Sequence, residues 1–230
     1  MHTIAVGEMI RFGWETYKKR PLFFIGTVVL IVLLSGVLSA FTPDEIRNPF
    51  HLFLAAIIVI VNIVIEMGLV AFALKANDSV DHVMLKDMWR PQSFWKYVAA
   101  KILTGIIAAG PIVIIGGALG LNGPLWLGTT LFVLLIPAAI WAVMAGLALI
   151  FATYLIVDRN LGPIVAIKES VRITKGHRWQ LFLLAAALVL INVLGAIALL
   201  VGLLVSIPVS LLAIAHAYRT LAGKGAVSVE

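Results

Sequence analysis

The chain contains no cysteine. Disulfides, thiolate chemistry and cysteine-ligated metals are therefore excluded. Charge is scarce as well. Asp, Glu, Lys and Arg make up 12% of the 230 residues, against about 25% in soluble domains. Over two long runs, Ile102 to Val157 and Trp179 to Tyr218, charge is absent altogether. Strand-like alternation is missing too, since runs such as AAIIVIVNIVI (55–65) are continuous. A β-barrel would need ten-residue segments that alternate between lipid and lumen, so that architecture is rejected. Nucleophile elbow, HExxH, phosphate-binding loop and GxGxxG signatures are all lacking. The histidines (His2, His51, His82, His177, His216) have no metal-ligand spacing. No cofactor is expected, and the chain is expected not to be an enzyme.

What is present is hydrocarbon. Hydrophobic residues make up 62% of the chain, and the mean hydropathy is +1.11. Uncharged apolar runs of 18 or more residues read as membrane-spanning helices. Six are predicted, at about 21–41, 51–74, 97–119, 125–157, 179–198 and 202–220. The fold class is all-α, a polytopic transmembrane helical bundle treated as one domain over residues 1–230. The fourth segment is too long for one straight span, so a kink is expected, with Pro137 as its cause. Small-residue stripes at Ser35/Gly36/Ser39 and Ala138/Ala142/Gly146 are candidate helix-packing faces, and Gly116/Gly120 forms a GxxxG. Turns are expected at Thr42-Pro43-Asp44 and Asn122-Gly123-Pro124. The first span is expected to act as an uncleaved insertion signal.

Three amphipathic segments separate the apolar runs: Ile4 to Arg20, Asn77 to Lys101 and Asp158 to Arg178. Each is predicted to form an interfacial helix. In the second, Val80, Val83, Met84 and Met88 form one face, with Asp81, His82, Lys86, Asp87 and Arg90 on the other. In the third, Ile164, Ile167 and Val171 face one way and Lys168, Glu169, Arg172 and Lys175 the other. With six spans, 16 of the 17 lysines and arginines fall on one side, and the opposite loops hold only Arg47. The positive-inside rule makes the basic side cytoplasmic. The expected location is the cytoplasmic membrane of a prokaryote, multi-pass, with both termini cytoplasmic. The net charge of +6 is then a property of the membrane surface, where it meets anionic headgroups, and nucleic acid is not expected as a partner. Inner helix, span, turn and returning span recur three times, as a repeat of pattern.

Glu66 is the sharpest candidate site, because a carboxylate inside a span is costly. Asn62 lies four residues earlier on the same face, and Lys101 sits at similar depth in the next span. They make either a structural link that joins helices, as a Glu66–Lys101 ion pair or a protonated Glu66 bonded to Asn62, or a proton or ion pathway. Asn62 and Asn192 are expected to hydrogen-bond between helices. Lys168, Arg172, Lys175 and Arg178 are candidate contacts for lipid headgroups.

Three stretches carry a family likeness: FGWETYKKRPLFFIG, VDRNLGPIVAIKESVRITKGHRWQLFLL and SIPVSLLAIAHAYRTL. They resemble a loose group of prokaryotic six-helix membrane proteins. That group includes the membrane domain attached to some glycerophosphoryl diester phosphodiesterases and several domains of unknown function. The resemblance implies a membrane module without the phosphodiesterase's catalytic domain, and it transfers no catalytic residues. The leading expectation is a non-enzymatic module that interacts with lipid or organises a protein partner or a second copy. The alternative is a small transporter or channel with its path at Glu66.

Overall fold

The computed structural model describes residues 5–42, 48–88, 91–119, 125–198 and 201–225. Pro43-Asp44, Arg47, Arg90, Gly120 and Asn122-Gly123-Pro124 lie outside them. Every regular element among the described residues is helical. In order these are α1 (Val6–Lys19), α2 (Pro21–Ala40), α3 (Pro49–Asp78), α4 (Phe94–Leu119), α5 (Leu125–Leu149), α6 (Ala152–Arg159), α7 (Pro163–Thr174), α8 (Arg178–Ile197) and α9 (Leu203–Gly225), with short 3-10 turns at Leu85–Met88 and Pro91–Ser93. Six helices are long and apolar enough to cross a membrane: Pro21–Ala40, Pro49–Asp78, Phe94–Ala118, Phe132–Arg159, Arg178–Ile197 and Leu203–Gly223. The chain is a multi-pass membrane protein.

Local chemistry accounts for the helix ends. Pro21, Pro49 and Pro163 occupy first-turn positions, where the missing N–H is no loss. The Asn48 side chain caps α3 by accepting the His51 N–H at 2.9 Å. Asn160 closes α6 in the left-handed region at φ 51°, and its carbonyl and side-chain oxygens accept from Lys96 Nζ at 2.9 and 3.0 Å.

Contacts divide the chain into two compact units, Met1–Phe94 with Gln180–Glu230, and Trp95–Trp179. In both, burial concentrates at the charged ends of particular helices. The buried stretches are Met67 to Ala76 of α3, Leu147 to Val157 around α6, and Ser206 to Ala222 of α9. The far halves of the spans expose large apolar side chains, such as Leu33 and Val37 of α2 and Val113 and Ile114 of α4. Lipid tails are as apolar as leucine, so nothing drives these side chains inward.

In the first unit, Tyr17, Phe24, Phe72, Ala76, Val83, Val209 and Leu212 form one cluster. Helix α1 lies against α9 and buries Met9, Gly13, Thr16 and Tyr17. Gly13 makes the closest approach, since a Cβ there would sit 2.6 Å from the Val209 carbonyl oxygen. The flanks of α1 face opposite ways along α9. On one, Phe12 stacks on His216 at 3.8 Å. On the other, Ile10 and Trp14 overlook Val205 and Gly202. Helix α1 therefore runs across α9. The ends of α3 and α9 are tied by Arg219 and Asp78 at 2.6 Å.

Three expectations are corrected. The second amphipathic segment is not an α-helix. Helix α3 runs on to Asp78, and the chain then turns into the 3-10 segment Leu85–Met88. The Arg20 guanidinium donates to the carbonyls of Val80, Asp81 and Val83 at 3.2–3.3 Å, and the Asp87 carboxylate accepts the Met84 N–H at 2.9 Å. These side chains satisfy backbone groups that a helix would have paired internally. Val83 is buried, whereas Met84 is exposed. The fourth span is also not one continuous helix to Val157. Helix α5 runs through Pro137, and the break falls at Ile150 and Phe151. Finally, the space beside Gly36 and Gly146 is open, and the close helix contacts are at Gly13, Gly68, Gly195 and Gly202. A bilayer lets small residues face lipid as freely as a neighbour, so such stripes alone do not locate a seam.

Gly13→Ala is expected to lower stability by about 1–3 kcal/mol through overpacking at the α1–α9 crossing. Thermal unfolding in detergent, with limited proteolysis of the N-terminal segment, checks this. Gly36→Ala, placed in open space, should leave both unchanged.

Candidate functional site

The polar groups among the spans fall into three arrangements. The first concerns Glu66. It lies on an exposed face of α3 in the first unit, and Asn62 is exposed one turn earlier. The Asn62 amide donates to the Ile58 carbonyl of its own helix at 2.9 Å, so that bond stays within α3 and does not join helices as expected. Lys101 is an exposed residue of α4 in the second unit.

The second arrangement is Asn192 on α8, which does bridge helices. Its oxygen accepts from the Ser206 hydroxyl at 2.7 Å, and its amide donates to Ser210 Oγ at 3.0 Å and to the Leu188 carbonyl at 2.9 Å. Ser210 donates onward to the Ser206 carbonyl at 2.7 Å. Both amide hydrogens and the oxygen are used, which is how a polar side chain survives inside hydrocarbon. Beside this clasp α8 and α9 approach through glycine: a Cβ on Gly202 would lie 2.6 Å from the Gly195 Cα. The clasp holds a helical hairpin together and offers no free polar atom for chemistry.

The third arrangement is built on α7, in the segment AIKESVRITKG. Breaking α5 from α6 releases backbone groups where water is scarce. Ser170, fully buried, supplies both missing partners. Its hydroxyl donates to the Ala148 carbonyl at 2.8 Å and accepts the Phe151 N–H at 3.2 Å. Thr174, also fully buried, donates to the Ser170 carbonyl at 2.8 Å, with the Ala148 carbonyl 3.3 Å away. Ala166, Ser170, Ile173 and Thr174 are the buried residues of α7.

That places the rest of α7 outward and overturns the expected division of its faces. Ile164 is 61% exposed, Val165 56% and Val171 36%. They share their arc with Lys168 and Arg172, and Lys175 follows at the C-cap. The inward face was chosen by hydroxyl chemistry and small size, and apolar bulk was left outside. The signal in the sequence was the Ala166/Ser170/Thr174 stripe, spaced by four, which an apolar-inside reading passes over.

Of the four candidate headgroup residues, Lys168, Arg172 and Lys175 are brought together on this outward surface. Lys168 and Lys175 have no ion-pair partner among the described residues. Arg172 is clasped by Glu169, with Nε and Nη2 donating to the two carboxylate oxygens at 2.7 and 2.6 Å. That hydrogen-bonded pairing holds the Glu169 carboxyl below the usual carboxylate range and raises the Arg172 guanidinium. Arg178 is set apart: it is half-buried at the start of α8, and its Nε is covered.

Clefts among these helices are mostly apolar. A void of about 10 Å³ is lined by residues such as Phe24, Phe72 and Leu212. A larger cleft of about 350 Å³ lies between α1, α8 and α9. Neither is lined by Glu66, Asn62 or Lys101. Among the described residues no group of histidine, aspartate and glutamate could hold a metal ion. No protein-family model, curated protein or solved structure matches the chain.

Ser170→Ala is expected to cost about 1–3 kcal/mol, because it removes the hydroxyl that accepts the Phe151 N–H and donates to the Ala148 carbonyl. Thermal unfolding in detergent should show the loss. Lys168→Ala, at the exposed face of the same helix, should not show it.

Proposed function

We propose that the chain is a non-enzymatic membrane module of the prokaryotic cytoplasmic membrane whose basic end engages anionic lipid headgroups. The observation that carries this reading is the outward face of α7. Exposed Ile164, Val165 and Val171 alongside Lys168, Arg172 and Lys175 suit a helix at the boundary between headgroups and acyl chains. In water such a face would be costly. In a membrane the apolar side chains enter hydrocarbon while the long basic ones extend to phosphate. By the distribution of charge along the sequence, Arg11, Lys18 and Lys19 of α1 belong to the same, basic side of the membrane. The basic side is cytoplasmic, by the distribution of lysine and arginine, and both termini lie there. The likeness to the phosphodiesterase-associated membrane domains belongs to this reading, as a module that would present or gather lipid without hydrolysing it. A protein partner or second copy at the same surface is compatible with it.

The absence of cysteine makes orientation directly testable. Ala226→Cys should react with a membrane-impermeant maleimide only after cells are permeabilised, whereas Asp44→Cys should react in intact cells. The reverse pattern would invert the topology.

The lipid preference is read from the association of spin-labelled phosphatidylglycerol relative to phosphatidylcholine. A charge near the membrane surface is worth about 1 kcal/mol. Lys168→Ala with Lys175→Ala should therefore reduce the preference by up to about thirtyfold. Glu169→Gln releases Arg172 and adds one net positive charge, so it should raise the preference, by up to about fivefold. Acid should act in the same direction. As pH falls through the depressed Glu169 pKa, the pair is lost and the face gains charge. If neither variant changes the preference and Glu66→Gln abolishes proton or ion flux into liposomes, the transport reading replaces this one.

A further inference from the structure

The cleft between α1, α8 and α9, about 350 Å³ in volume, is filled by no side chain and has a definite character. Ile10 and Trp14 of α1 overhang it, Ile191, Val205 and Val209 form its walls, and Gly195 and Gly202 leave its floor without side chains. Ser206 and the indole of Trp14 are the lining side chains with a polar atom, and the Ser206 hydroxyl donates to the Asn192 oxygen at 2.7 Å. A water placed in the cleft would find few polar partners on walls that are almost wholly apolar, and spaces of that kind stay dry or take apolar ligands. Two walls belong to α8 and α9, both long and apolar enough to cross a membrane, which suits a lipid chain entering from the bilayer.

The cleft also has a polar rim. Trp14 is 45% exposed, and the Lys18 amine lies 5.9 Å from the centre of its ring. Because α1 runs across α9, its Ile10–Trp14 flank faces down the cleft toward the α8–α9 turn. Its charged face, with Arg11, Glu15 and Lys18, is turned away from α9. From Val209 to Gly202 the cleft follows about 10 Å of α9, at about 1.5 Å per residue. An apolar channel with a cation at its mouth has the shape and charge of half a phospholipid.

We propose that this cleft holds one acyl chain of an anionic phospholipid, with the phosphate at Lys18. The proposal rests on the lipid-interacting reading above but assigns a separate site, a retained lipid under α1 and not the exchanging lipids along α7. The Asn192 clasp and the Gly195–Gly202 contact keep the α8–α9 walls fixed. Docking of Gly13 on Val209 fixes the roof.

The test is native mass spectrometry of the full chain after reconstitution in vesicles of equal parts phosphatidylglycerol and phosphatidylcholine and extraction into mild detergent. The wild-type chain should keep one phosphatidylglycerol. Val205→Trp, which fills the cleft, should reduce retention about tenfold, the effect of losing about two buried methylenes. Ile191→Phe, from another wall, should act in the same direction and stands in if Val205→Trp does not fold. Lys18→Gln should keep the bound chain but lose the preference for phosphatidylglycerol. The Lys168→Ala/Lys175→Ala variant should retain the lipid normally. No retained lipid in the wild type, or full retention in folded Val205→Trp and Ile191→Phe, overturns the proposal. Loss in the α7 variant with retention in the cleft variants also overturns it, while leaving the α7 reading intact.

Discussion

A backbone group released from a helix inside a membrane has no water to turn to. That constraint organises the charged end of this protein. Where the fourth span breaks at Ile150 and Phe151, Ser170 closes the gap by giving one hydrogen bond and accepting another. Where the chain leaves α3, Arg20 gathers three loop carbonyls. Both of these irregular stretches are paired with a side chain from elsewhere in the sequence, and burial gathers beside them, in Met67 to Ala76 and Leu147 to Val157.

The threefold pattern takes a more specific form in three dimensions. The sequence suggests that each inner segment leads into the span that follows it. The contacts show each one seated on a returning span. The 3-10 turn at Leu85–Met88 sits on α3, where Met88 meets Gly68. Helix α7 sits on α5 and α6 through Ser170. Helix α1 has no span before it and sits on the last one, α9, through Gly13. Close approach by a glycine, or a hydroxyl bonding to the span, marks each seat.

Much of this was legible in the residues. Long uncharged runs give the number and position of the spans, because crossing hydrocarbon demands about 20 apolar residues. Asn192 was legible as a bridge, because an amide in a span must find partners. The faces were not legible. In water an apolar stripe points inward, so Ile164, Ile167 and Val171 look like the seated side of α7. In a bilayer that rule lapses, and the seated side is set by small size and hydrogen bonding, as Ser170 and Thr174 show. The helix expected around Val80 to Met88 failed for a related reason: Arg20, sixty residues away, satisfies its carbonyls, and no local pattern carries that. Pro137 sits within an unbroken α5, while the break lies further on, where Ser170 stabilises it.

The account depends on α7 lying at the membrane boundary with its bulky apolar residues outward. A nitroxide scan along residues 163–174, on single cysteines introduced into this cysteine-free chain, tests that most directly. The account predicts immobile labels at Ala166, Ser170 and Thr174. At Ile164, Val165 and Val171 it predicts labels relaxed strongly by dissolved oxygen and weakly by a water-soluble nickel chelate. Labels at those three positions that respond mainly to the chelate would place the face in water and contradict it.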